Sequence, residues 1–68
     1  MRFKYSKEAD ILFVILVGGK IDYVEQAGPI KIHFTHDKKP ILIEILGATE
    51  FLTKALNFTK KAEIYKNL

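Results

Sequence analysis

The sequence predicts an α+β domain, an antiparallel β-meander of four to five short strands with one C-terminal amphipathic helix packed on one face. Three observations lead there. Up to Leu46 the chain falls into short runs of β-branched and aromatic residues separated by turn-forming clusters. From Phe51 the apolar spacing becomes helical, with Phe51, Ala55, Phe58, Ala62 and Tyr65 at i, i+4, i+7, i+11 and i+14. A run of strands followed by a single helix is the α+β order.

Each element has its own local reason. Arg2 to Tyr5 alternates, with Phe3 and Tyr5 on one side, and reads as a first strand. Ser6 to Asp10 is a polar turn. Ile11 to Val17 is seven apolar residues, many β-branched, which suits a strand covered on both faces. Gly18-Gly19 then predicts a hairpin, because glycine accepts the positive φ of tight turns, and Ile21 to Val24 is the expected return strand. Glu25 to Pro29 is a loop. Ile30 to Phe34 alternates, placing Ile30, Ile32 and Phe34 inward and Lys31 and His33 outward.

Thr35 to Pro40 is a turn, and Ile41 to Leu46 is the next strand. Its isoleucines share one face, and Leu42, Glu44 and Leu46 share the other. Paired as a simple hairpin, these two strands set Lys31 opposite Glu44 and His33 opposite Leu42. Such an opposite-charge pair contributes about 0.2–1 kcal/mol and favours that register. Gly47 ends the sheet. Thr49 is the expected N-cap, and Glu50 suits the positive end of the helix dipole. Leu52 and Leu56 widen the apolar stripe. Asn57 and Thr59 are weak helix formers, so the helix is expected to kink or fray near them.

At 68 residues the chain forms one domain, residues 1–68. So short a chain buries only about 60% of its extended surface and needs help to be stable. It has no cysteine, which removes disulfides and thiolate metal sites together. Yet 49% of its residues are hydrophobic, and that material must find cover. Met1 to Tyr5 alternates apolar and basic residues rather than forming a secretory leader. The longest apolar run is far below the ~20 residues of a membrane-spanning helix. The expected setting is cytoplasmic, with no membrane partner.

Tyr5-Ser6-Lys7-Glu8-Ala9-Asp10 leading into Ile11-Leu12-Phe13-Val14 resembles the opening of the domain of unknown function 2283 family, a group of short prokaryotic domains. The second half is similar too: a hairpin turn, then Ile41-Leu42-Ile43-Glu44-Ile45-Leu46, then a small residue and a helix at Ala48. The resemblance covers roughly residues 1 to 52. The chain departs from the family pattern twice. His36-Asp37-Lys38-Lys39-Pro40 replaces an acidic-glycine turn, and Gly47-Ala48-Thr49 stands where an aspartate and a serine are common. The resemblance implies a meandering antiparallel sheet with a helix packed on it and brings no established activity. Some members look like partners in toxin–antitoxin operons, which implies an antitoxin-like protein-binding role.

Three places carry chemistry-bearing residues. Asp10 and Glu44 would do acid–base work if their carboxylates met, but aspartate in a turn commonly bonds backbone N–H groups and Glu44 has Lys31 as its expected partner. His33, His36 and Asp37 offer three metal ligands within five residues. A strand histidine turned to solvent is the simpler account. Gly18-Gly19-Lys20 lacks the longer pattern and following helix of a phosphate loop. There is no cysteine, and Ser6 is the only serine, so a nucleophilic triad lacks parts. The expectation is a non-enzymatic chain with no cofactor and no metal, with Asp10, Glu44 and His33 as its candidate polar site.

Association remains. A single helix covers one sheet face, leaving Leu12, Val14, Leu42 and Leu46 as the candidate interface for a homodimer or a protein partner, on the free face or at an edge strand. The alternative is weak nucleic-acid binding. The net charge is +3, and Lys54, Lys60 and Lys61 on the helix are the candidate phosphate contacts.

Overall fold

A computed structural model describes residues 1–61 of the chain, the last three through their backbone alone. The elements are β1 (Arg2–Ser6), β2 (Ile11–Ile15), β3 (Tyr23–Ala27), β4 (Ile30–Phe34), β5 (Pro40–Leu46) and α1 (Ala48–Lys61). The five strands form one antiparallel sheet, so the α+β expectation holds. Ala62 and Tyr65, expected on the helix stripe, lie outside the described residues.

The strand order is β1-β2-β5-β4-β3, which corrects the expected meander. β5 enters between β2 and β4 because a central strand has cross-strand neighbours along both edges, which favours the most apolar strand there. Ile41, Ile43 and Ile45 on one side and Leu42 and Leu46 on the other meet that demand. The sequence Tyr23-Val24-Glu25-Gln26-Ala27 does not, and β3 lies at the edge.

It follows that Gly18-Gly19 is not a hairpin. β2 and β3 do not pair. The Leu16 N–H reaches the Ile41 carbonyl at 2.9 Å, and the chain then crosses to the far edge. A Cβ at Gly19 would stand 3.5 Å from Thr35 Cγ2 and 3.7 Å from the Ile41 methyls, so the crossing passes directly over these side chains. The return strand begins at Tyr23 rather than Ile21 and runs on through the expected loop to Ala27. The β3–β4 connection is only Gly28-Pro29, with Gly28 at φ 57° in the first central position of a two-residue turn.

The β4–β5 register is the expected one, with Lys31 opposite Glu44 and His33 opposite Leu42. Its turn is closed by Lys38 N–H to the Thr35 carbonyl (3.0 Å) and Lys39 N–H to Thr35 Oγ1 (3.2 Å). The ladder shifts by one residue after His33, so β5 begins at Pro40.

Pairing and alternation sort the side chains into two faces. On one, the cross-strand rows are Tyr5–Leu12–Ile45–Ile30–Ala27 and Phe3–Val14–Ile43–Ile32–Glu25. On the other they are Lys4–Phe13–Glu44–Lys31–Gln26 and Arg2–Ile15–Leu42–His33–Val24. We call these the isoleucine face and the charged face. On the charged face Arg2, Lys4 and Lys31 stand in the same cross-strand rows as Ile15, Phe13 and Glu44. The rows of the isoleucine face hold no lysine or arginine.

The helix does not cover that face. α1 meets the sheet at β5, and Leu52, Leu56 and Phe58 stay exposed at 43%, 64% and 71%. Among the described residues only Ile41 and Ala48 are buried: the crossing segment covers Ile41, and Ala48 sits under the helix anchor. Gly47 turns the chain from strand to helix at φ 58°, a left-handed conformation. A Cβ there would meet nothing within 4 Å, so the only cost of adding one is conformational. Gly47→Ala is therefore expected to destabilise the fold by about 1–2 kcal/mol in urea unfolding without changing its contacts.

Candidate functional site

Asp10 ends the β1–β2 turn at φ 52°, a conformation its short polar side chain tolerates. Its carboxylate accepts the Tyr5 hydroxyl (2.7 Å), the Thr49 hydroxyl (2.9 Å) and the Thr49 N–H (3.1 and 3.3 Å to the two oxygens). Its carbonyl accepts the Ala48 N–H at 3.0 Å. This corrects the expected N-cap. The Asp10 carboxylate and carbonyl, from a turn 39 residues before Thr49, satisfy the first two helical N–H groups, and the Thr49 hydroxyl donates to the carboxylate as well. The Tyr5 hydroxyl, then the Thr49 hydroxyl, and least of all the Thr49 N–H hold the Asp10 carboxyl below the usual aspartate range, with burial opposing them in part.

Glu44 lies in the middle of the charged face. It stands opposite both Phe13 and Lys31, but its Oε2 contacts His33 Nε2, diagonally placed on β4. Its partner is thus the histidine rather than the expected Lys31. Both side chains are 17% exposed, so the pair closes a polar gap in a half-covered surface. Asp10 and Glu44 engage different partners and form no carboxylate pair. His36 turns its Nδ1 to Asp22 at 3.7 Å on the exposed surface, so the two histidines do not share a ligand set. Among the described residues no group of three or more acidic or histidine side chains is placed to hold a metal.

The candidate interface residues divide. Leu12 and Val14 belong to the isoleucine face, opposite Ile45 and Ile43, whereas Leu42 and Leu46 lie on the charged face opposite Ile15 and Ile11. They do not form one patch. The patch that exists comprises Leu12 and Val14 with Ile30, Ile32, Ile43 and Ile45, flanked by exposed Phe3 and Tyr5 and by Tyr23 stacked on Phe34 at 5.0 Å between centroids. Parity along each strand already carried this grouping; strand order was needed to join it. Lys54 pairs with Glu50 at 3.0 Å, and the side chains of Lys60 and Lys61 lie outside the described ones. A shallow hollow at the helix start, lined by Pro29, Leu46 and Phe51, has that ion pair on its rim.

Together these features define a small α+β protein of one antiparallel sheet, open on an apolar face, with a helix held by a turn carboxylate. The chain belongs to the family described as Protein of unknown function (DUF2283), whose model matches residues 2–48, from β1 to the first helical residue. No curated protein and no solved structure matches it. Among the described residues no helix is long and apolar enough to cross a membrane.

Three outcomes follow from the polar contacts. Asp10 has a folded-state pKa below its unfolded value of about 3.9, so its contribution is complete above that value. It is lost as the pH falls through the lower, folded one. Helical circular dichroism is expected to decline in that acidic window for the native chain, with the Asp10-dependent part absent in Asp10→Asn. Tyr5→Phe should raise the Asp10 pKa in a carboxyl NMR titration. Separately, Glu44→Ala leaves His33 half-buried without its acceptor, and a loss of about 1–2 kcal/mol in urea unfolding is expected.

Proposed function

We propose that this chain is a non-enzymatic, antitoxin-like protein-interaction module that binds through the isoleucine face of its sheet, either a protein partner or its own copy. The observation that carries this reading is the composition of that face. Across five strands its two central rows hold one charged residue, Glu25 at the edge, and only Ile41 at its end is buried. Contiguous apolar area left open in this way marks an interaction surface.

The disposition of the polar groups supports a binding role over a catalytic one. Asp10 is saturated by three donors and holds the helix. Glu44 holds His33. Each carboxylate thus has a structural task.

Nucleic-acid binding through Lys54, Lys60 and Lys61 is the second reading, favoured by the net charge of +3. Salt separates the two, since phosphate binding weakens steeply as salt rises and apolar contact does not. The protein-binding reading predicts that a hydrophobic fluorescent dye brightens on the native chain, diluted until it is monomeric, equally at low and high salt. Val14→Lys should dim it several-fold, and Lys4→Glu on the charged face should not. Dye binding unmoved by Val14→Lys, alongside tight salt-sensitive binding of an oligonucleotide, would reverse the preference.

A further inference from the structure

We infer that the isoleucine face is covered by the C-terminal helix of a second copy of this chain, given and received reciprocally in a two-fold dimer. The inference rests on the proposal that this face binds protein, and it names the occupant.

The chain carries two apolar surfaces of complementary shape, and neither has its counterpart within the protomer. The sheet offers a flat face with no helix on it. The helix offers a ridge of Leu52 and Leu56, one i, i+4 row, with no sheet beneath it. Its direction is set at its first residues, where Gly47, Asp10 and Thr49 fix the exit from β5. Folding the helix back over its own sheet would strain or break that anchor. A second copy supplies both missing counterparts at once.

The dimensions agree. Fourteen helical residues extend about 21 Å. Five strands spaced about 4.8 Å apart are about 19 Å across, so one helix lies across the whole sheet. The charges agree as well. Each chain carries +3, yet the two central rows of the face hold no positive charge, Glu25 being their single charged residue.

The area suffices. The chain exposes 5779 Å², whereas a compact protein of 7.8 kDa exposes roughly 4,400 Å². A standard interface takes about 800 Å² from each partner, less than that surplus. Two-fold exchange also closes: both faces and both ridges are used, and nothing remains to recruit a third copy. Stacking two sheets face to face would leave both helix ridges in water, which is why the exchange is favoured over it.

The test is mass in solution by light scattering at micromolar concentration, with Leu56→Glu on the ridge and Ile32→Glu on the face. The native chain should show twice the protomer mass, and each variant alone the single mass. An equal mixture of the two variants should regain the double mass, because one native ridge still finds one native face. Leu56→Glu lies on an exposed helical position, so its mass is readable even if Ile32→Glu fails to fold. A Leu56→Glu chain that stays dimeric would overturn the exchange while leaving the face as the binding surface. A native monomer that brightens the dye would overturn the second copy alone, and a native monomer that does not would overturn the face as well.

Discussion

β5 is the strand on which the molecule is built. It is hydrogen-bonded along both edges, to β2 and β4, and its residues are apolar on both faces apart from Glu44. Once it takes the centre, most of the architecture follows. The more polar β3 goes to the rim, and the chain after β2 must cross the sheet to reach it. The helix has to leave from the middle strand rather than from an edge. One glycine, Gly47, makes that exit possible.

The sheet has little conventional core. Most of its side chains are half-buried, because they touch neighbours within the sheet and little above it. What holds such a layer is the antiparallel ladder, the cross-strand rows and the crossing segment over Ile41. Small domains are expected to be marginal on their own. The uncovered isoleucine face is where this one falls short of its own needs, and where a second polypeptide has most to add.

The sequence disclosed what is local and periodic. The β4–β5 register was legible because alternation and the Lys31–Glu44 charge match agreed, and the helix because its spacing changed at Phe51. Gly18-Gly19 was misread because paired glycines serve a tight turn and a close crossing equally well. Only competition for the edge of β2, won by β5, decides between them. Tyr5, Asp10 and Thr49 each stood out singly, but a contact spanning 39 residues leaves no periodic trace. The division of Leu12 and Val14 from Leu42 and Leu46 is a question of parity between strands, which no single strand discloses. His33 took Glu44 diagonally, a choice of rotamer that pairing tables do not contain.

The anchor at Asp10 couples distant parts of the chain mechanically. A pull on the helix reaches the β1–β2 turn through Thr49 and Ala48, and from there the outermost strand through the Tyr5 hydroxyl. Load applied at the C-terminal side is thus shared with the opposite rim of the sheet instead of tearing β5 out of its centre. A bound partner that tugs on the helix would be felt first in the N-terminal hairpin.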